Sequence, residues 1–198
     1  MRMNPCSRTS ERPLNHRHRR SLPAPLAARL NWNNMLTQTI ADAMNAHINA
    51  EMYSAYLYLS MAAYLESENF PGMARWTKLQ AQEEAGHAMK FFGHMTERGG
   101  RVLLQPIATP PASWESPAAV FEAIYTHECH VTGLIHSLYE KALAERDYAS
   151  TVFLEEFIKE QVEEEATASA ALNRLRMTEG SRQALLIMDR ALGERRAG

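Results

Sequence analysis

The stretch S-P-A-A-V-F-E-A-I-Y-T-H-E-C-H-V-T-G-L-I-H-S-L-Y-E-K-A-L-A, residues 116–144, carries the clearest helical pattern in the sequence. Ser116 followed by Pro117 is a typical helix start, because serine caps the first turn and proline fits its first position. Apolar side chains then recur at steps of three and four, which places them on one helical face. They are Phe121, Ile124, Val131, Ile135, Leu138 and Ala142. Glu128 falls in the middle of the same face, where an apolar residue is expected.

Three other long stretches and one short stretch share this periodicity. Proline interrupts none of them, and a proline inside a helix costs about 3 kcal/mol, so the spacing predicts uninterrupted helices. The predicted helices run from Met35 to Glu66, from Pro71 to the Gly99-Gly100 pair, from Ser116 through Ala142, from Tyr148 to Met177 and, as a short fifth helix, from Ser181 through Leu192. Each long helix carries an acidic residue near the middle of its apolar face, namely Glu51, Glu84, Glu128 and Glu164.

The lengths of the connections predict how the helices are arranged. Turns of a few residues join the first helix to the second and the third to the fourth, so each pair forms an antiparallel hairpin. Residues 100–115, which include three prolines, reach about 50 Å when extended, whereas a 28-residue helix is about 42 Å long. We therefore expect an all-α four-helix bundle with one long crossover and a short fifth C-terminal helix.

The four acidic residues on the apolar faces are either not buried, or a cation lies between them. Burying one unpaired carboxylate costs several kcal/mol, and four carboxylates close together repel one another. An antiparallel bundle brings the middles of its helices into one layer, where two divalent ions would cancel the four negative charges. Glu84 and His87 lie three residues apart and therefore on one face, which is typical of di-metal carboxylate bundles. Ligation rich in oxygen favours Fe or Mn over Zn.

The same residues also have simpler interpretations. A Glu-x-x-His pair occurs on helices by chance, and the runs Glu83-Glu84 and Glu163-Glu164-Glu165 fit solvated helix faces. The remaining histidines of the helices are interpreted as ordinary surface or core residues: His47, His94, His127, His130 and His136. The coincidence of acidic residues on four apolar faces favours the metal site over these alternatives.

Four segments resemble the bacterial non-haem ferritins: N-A-E-M-Y-S-A-Y-L-Y (49–58), A-Q-E-E-A-G-H (81–87), Y-T-H-E (125–128) and E-Q-V-E-E-E (160–165). The resemblance extends from about Met35 to Leu192, in order and with the spacing of the family. It implies a ferritin-like di-iron protein, a ferroxidase that oxidises Fe(II) with O2 or H2O2. It also implies a homo-oligomeric cage of twenty-four subunits that stores the ferric mineral inside for iron storage and detoxification.

The resemblance also implies roles for individual residues. The first iron site corresponds to Glu51, Glu84 and His87. The second corresponds to Glu84, Glu128 and Glu164, with Gln161 beside it and Tyr58 nearby. A third, weaker site between the paired irons and the cavity corresponds to Glu83, Glu160 and Glu163.

Differences from related families argue against a bound haem and against a rubrerythrin-like peroxidase. Bacterioferritins carry a haem-ligating Met directly after the glutamate of the second helix, where this chain has Ala85. Their second Glu-x-x-His corresponds here to residues 161–164, Gln-Val-Glu-Glu. We therefore expect no haem. Rubrerythrin-like peroxidases would have a Cys-x-x-Cys module, which this sequence lacks.

Charge divides the chain into a basic head and an acidic body. Residues 1–34 contain seven of the 21 basic residues and one of the 23 acidic ones, which leaves 14 basic against 22 acidic residues in the body. An acidic body argues against nucleic acid and favours cations as partners. Two cysteines are too few for a disulfide framework, so we expect the protein to be located in a reducing compartment, the cytoplasm. No uncharged apolar run reaches about 18 residues, so no membrane span is expected.

The basic head, residues 1–34, is expected to be a disordered extension that precedes a ferritin-like domain over 35–198. It lacks the apolar segment of a secretory signal. It is either a transit-like segment, a tail that binds nucleic acid or another polyanion, or a stretch upstream of a start at Met35. We favour the third alternative, because the helical pattern and the resemblance both begin at Met35.

Two other functions remain open at this point. The first is a di-metal oxygenase or peroxidase that acts on an organic substrate or on peroxide, which would need a substrate cavity. The second is a non-catalytic helical bundle used for interaction, which would take up no iron.

Overall fold

The computed structural model describes residues 35–195, so the expectations for residues 1–34 lie outside the described part. The described residues form five α-helices joined by turns and loops, as the sequence predicts. The helices are α1 (Gln38–Ser67), α2 (Pro71–Glu97), α3 (Pro117–Ala144), α4 (Tyr148–Arg176) and α5 (Arg182–Gly193). α1 packs mainly on α2 and α3 mainly on α4, while α5 packs on α2. The all-α four-helix bundle with a short fifth helix is confirmed.

Side-chain caps set the starts of most helices. The side chains of Thr37, Ser116, Asp147 and Ser181 accept a hydrogen bond from the backbone N–H three residues ahead, which satisfies a donor of the first turn. α1 therefore begins at Gln38, three residues later than the apolar pattern predicted. α2 starts differently, since its N-cap Phe70 makes no side-chain cap and the helix opens on Pro71.

The crossover between α2 and α3 runs along α1, as the loop length predicts. Near its start, the side chain of Asn45 donates to the carbonyl of Arg101 at 3.2 Å and accepts from the N–H of Leu103 at 2.7 Å. Near its end, the ring of Trp114 lies 5.5 Å from that of Tyr64. Asn45 and Tyr64 lie near opposite ends of α1, so the loop spans most of the bundle.

The core consists of two apolar clusters with a polar layer between them. One cluster includes Leu57, Trp76, Phe121 and Ala168, and the other includes Ile48, Phe91, Val131 and Phe157. On every long helix the sequence passes from one cluster to the other across a short polar interval. The buried polar residues of these intervals are Glu51, Ser54, Glu84, Glu128 and Gln161.

No helix among residues 35–195 is both long enough and apolar enough to cross a lipid bilayer.

Candidate metal centre

The polar layer holds carboxyl groups that are almost completely removed from solvent. Glu51 and Glu128 are each 1% exposed, and Glu84 is 3% exposed. Their helices are held by the apolar clusters on either side, so none of the three side chains reaches the surface. Carboxylates at such depth require a compensating cation or protons.

Glu51, Glu84 and His87 form the tightest group of potential ligands. One ligand atom from each lies within 4.8 Å of the others, and no further group of three His, Cys, Asp or Glu side chains meets this condition in residues 35–195. Nδ1 of His87 lies 3.4 Å from Oε2 of Glu84. The helical spacing of residues 84 and 87 places both on one face of α2, and α1 brings Glu51 opposite them.

The protonation of this group reflects its burial. Burial raises the pKa of Glu51, and burial together with the neighbouring Glu51 raises the pKa of Glu84 to about 8. Burial by itself would lower the pKa of the His87 imidazole, but the hydrogen bond and negative charge of Glu84 raise that pKa to about 9. In the metal-free protein near pH 7, protons therefore take the place of a cation.

Both carboxyl oxygens of Glu51 are buried without a hydrogen-bond partner. A buried polar atom without a partner costs free energy, and such atoms are rare in folded proteins. A divalent cation among Glu51, Glu84 and His87 would satisfy them. Two carboxylates and one imidazole form a donor set suited to a first-row ion such as Fe(II).

Glu128 lies on the other side of the layer and has partners of its own. The hydroxyl of the fully buried Tyr58 donates to its Oε1, and the amide Nε2 of Gln161 donates to its Oε2 at 3.2 Å. Burial raises the pKa of Glu128 to about 8, and the charge of Glu84 adds to this effect. Burial and Glu128 also raise the pKa of Tyr58 well above its ordinary value.

Glu164 on α4 completes the set of residues predicted for a second ion. Its Oε2 accepts a hydrogen bond from Nε2 of the buried Gln80 at 2.9 Å. Burial raises its pKa, and the charge of Glu84 raises it further. Glu84, Glu128 and Glu164 thus share one electrostatic environment, although their ligand atoms are more widely separated than those of the first group.

The residues predicted for a third site have separate partners. Glu83 forms an ion pair with Arg195, whose Nη2 lies 2.7 Å from Oε2 of Glu83. Glu160 accepts from Nζ of Lys90 at 3.2 Å, and its other oxygen lies 3.3 Å from Nε2 of His87. Glu163 is exposed to solvent. The assignment of these three residues to an iron site stays a prediction.

Three residues around the centre were not singled out from the sequence. His47, for which the sequence predicts only an ordinary surface or core residue, is buried beside Glu51; its place four residues before Glu51 on the same apolar face is the available signal. Gln80 lies four residues before Glu84 on the predicted inner face of α2. Arg195 follows the last helix, and nothing in its local sequence indicated its contact with Glu83.

Comparisons with known proteins agree with this geometry. A family model of the ferritin-like domain matches residues 41–178. The chain is 40% identical over 161 residues to a bacterial non-heme ferritin of Bacteroides fragilis, which covers 81% of this chain and 100% of that protein. It is 33% identical to a probable bacterial non-heme ferritin-like protein of Haemophilus influenzae, over 80% of this chain and 96% of the relative.

A solved structure extends the similarity to three dimensions. The ferritin of the archaeon Archaeoglobus fulgidus, described as an open pore ferritin, matches with a TM-score of 0.80 and 46% sequence identity. The match covers 81% of this chain and 99% of the archaeal chain. Both kinds of similarity include the four helices that surround the polar layer. From its fold and its relatives, the chain belongs to the family of bacterial non-haem ferritins.

Proposed function

We propose that this protein stores iron by oxidising Fe(II) at a pair of sites inside each subunit and collecting the ferric product in a cage of many copies. The observation that carries this proposal is the pair of buried, unpartnered oxygens of Glu51 beside Glu84 and His87. Membership of the ferritin family supports iron as the cation. Fe(II) is here the substrate, and it leaves the site after oxidation.

Each site uses a distinct set of side chains. We assign the first Fe(II) to Glu51, Glu84 and His87, and the second to Glu84, Glu128 and Glu164. Glu84 belongs to both sets because its two oxygens can serve two ions at once. Gln161 and Tyr58 orient Glu128 through their hydrogen bonds, so that this carboxylate keeps its position while ions enter and leave.

The protons of the buried carboxyls take part in the reaction. Since the pKa values of Glu84 and Glu128 are about 8, Fe(II) binding near pH 7 displaces protons from them. Two Fe(II) ions each give one electron to O2, which takes up two protons and becomes H2O2. With H2O2 as the oxidant, the two electrons and two protons give two molecules of water.

Assembly into a cage is supported by apolar surface that one subunit leaves uncovered. Tyr56 and Leu59 are each about half exposed, and with Met52 and Ile107 they line a cavity of about 550 Å³ on the outer side of α1 and α2. Leu186 and Ile187 of α5 are also exposed. Contiguous apolar patches of this kind are typical of contacts between subunits. We further propose that the cage contains twenty-four subunits and that the protein is located in the cytoplasm.

One experiment separates iron storage from its alternatives. The purified protein is sized by chromatography, loaded aerobically with increasing Fe(II) and passed through a desalting column, and the iron per particle is counted. A storage cage retains hundreds of irons per particle and elutes as a large assembly. A di-metal oxygenase or peroxidase would retain only a few irons per chain, and a non-catalytic bundle would retain none.

A further inference from the structure

His47 lies one helical turn before Glu51 on α1 and is 4% exposed. Its Nε2 is 2.7 Å from Oε1 of Glu51. The geometry of this contact is not that of a hydrogen bond, since neither atom has a hydrogen-bond partner. A buried imidazole nitrogen and a buried carboxyl oxygen therefore face each other, and both lack the partner they need.

The surroundings of the ring leave it room to turn toward Glu51. On one side it packs against Phe91, with ring centroids 4.4 Å apart. On another side a cavity of about 120 Å³ between α1 and α3, lined by Leu134 and Leu138 among others, leaves space beside the imidazole. A small rotation of the imidazole or of the Glu51 carboxylate would turn the 2.7 Å contact into an N–H···O hydrogen bond.

Two other acidic residues of the layer already have partners that donate hydrogen bonds to them. Glu128 accepts from Tyr58 and Gln161, and Glu164 accepts from Gln80. Metal-binding carboxylates are usually held by hydrogen bonds from residues behind them, and removing such a residue typically lowers metal affinity about 10- to 100-fold. Both oxygens of Glu51 are buried without such a partner, and Nε2 of His47 lies 2.7 Å from one of them.

We propose that His47 is a positioning residue for the first iron site. Its Nε2–H donates to Oε1 of Glu51 and leaves Oε2 free to bind the ion. We place His47 outside the ligand set, because its nitrogens do not join the group formed by Glu51, Glu84 and His87. This inference rests on the proposed function, since it assumes that the group binds a divalent cation.

Titration with Co(II) tests the inference without iron oxidation, because Co(II) gives a visible absorption that reports its coordination. The full-length, metal-free protein is compared with His47→Leu, which removes the donor, and with His47→Gln, whose amide restores one. His94→Leu is the matched control, since His94 is a half-buried histidine of α2 that bonds to Ser150. Glu51→Gln identifies which part of the titration belongs to the first site.

We expect His47→Leu to weaken Co(II) binding at the first site about 10- to 100-fold, while His47→Gln and His94→Leu remain close to the wild type. Equal affinity in His47→Leu and the wild type would overturn the inference. So would an equal loss in His47→Leu and His47→Gln when circular dichroism shows both to be folded.

A crystal of the wild-type protein soaked in Co(II) tests the same point without any variant. We expect Co(II) on Oε2 of Glu51, with Nε2 of His47 within hydrogen-bond distance of Oε1; Co(II) bound to Nε2 itself would overturn the inference. A wild-type protein that binds no Co(II) in the polar layer would instead refute the proposed iron sites, and the inference with them.

Discussion

Arg195 and Glu83 form an ion pair across 112 positions of sequence, with Nη2 of the arginine 2.7 Å from Oε2 of the glutamate. The same guanidinium donates from Nη1 to Oε1 of Gln80 and lies 4.9 Å from the centre of the Trp76 ring. Gln80 in turn donates to Glu164. Arg195, two residues beyond the end of α5, is thus connected to the edge of the metal centre and supplies a positive charge to Glu83.

Replacing Arg195 is therefore expected to free Glu83 for a metal ion. Arg195→Gln removes the positive charge that pairs with Glu83, so we expect more Fe(II) to bind per chain than in the wild type. Anaerobic calorimetric titration with Fe(II) measures this number. Arg190→Gln is the matched control, because Arg190 lies on the preceding helix, α5, and forms an exposed ion pair with Glu194. Identical iron counts in the two variants would contradict the expectation.

The stability of the metal-free protein is expected to fall as the pH rises from about 6.5 to 9. The pKa values of Glu84 and Glu128 are raised to about 8 by burial, and that of His87 to about 9, mainly by Glu84. In this range the folded state binds more protons than the unfolded state, so raising the pH favours unfolding. Burial lowers the pKa of His47 to about 4. Below about pH 6.5 this histidine therefore binds a proton more readily in the unfolded state, so its contribution to stability rises with pH there.

Thermal unfolding of chelator-treated protein at several pH values measures this effect. We expect the midpoint temperature to decrease steadily above pH 6.5, with a shallower decrease in Glu84→Gln, because one of the titrating carboxyls is gone. A midpoint that stays constant or rises through this range would show that the buried carboxyls are not protonated as described.

Glu84→Ala is expected to abolish rapid Fe(II) oxidation while the bundle remains folded. Glu84 belongs to both proposed ion sets, so we expect a decrease in rate at least as large as the roughly 100-fold loss caused by removing an outer partner of a metal ligand. Stopped-flow absorbance of ferric product measures the rate. Glu122→Ala is the control, because Glu122 is exposed on α3 and pairs with Arg176. Wild-type rates in Glu84→Ala would refute the site.

The packing of α5 on α2 depends on a close contact between Gly72 and the backbone of α5. A Cβ added there would lie 1.9 Å from the carbonyl oxygen of Asp189, whose side chain also accepts from the N–H of Met73 at 2.8 Å. We expect Gly72→Ala to displace α5 and to lower the free energy of unfolding by roughly 1–3 kcal/mol.

Urea unfolding and limited proteolysis of α5 measure that change. Gly133→Ala is the control: Gly133 is an exposed glycine of α3, and a Cβ there meets nothing within 4 Å. In that variant we expect a gain of about 0.5–1 kcal/mol, because alanine favours the helix. A Gly72→Ala protein as stable as the wild type, with α5 equally protected, would contradict the described packing.

Much of the fold follows from local sequence. The period of the apolar residues, the Ser116-Pro117 start and the absence of proline inside the helices predict five helices, and the loop lengths predict their connection. The polar layer follows from the same pattern, because Glu51, Glu84 and Glu128 interrupt apolar faces at corresponding heights.

The supporting contacts could not be predicted in the same way. The contact of Arg195 with Glu83 depends on how α5 packs against α2, which no periodic pattern describes. The role of His47 depends on the direction of one ring nitrogen, and a buried histidine with a partner would have given the same sequence pattern. Glu83, Glu160 and Glu163 look alike in the sequence, yet their partners are an arginine, a lysine with a histidine, and solvent.

Anomalous diffraction from crystals soaked anaerobically in Fe(II) tests the central claim most directly. Two iron peaks per chain are predicted inside the bundle, one among Glu51, Glu84 and His87 and the other among Glu84, Glu128 and Glu164. A polar layer without iron, or carboxylates turned away from it toward solvent, would contradict the account.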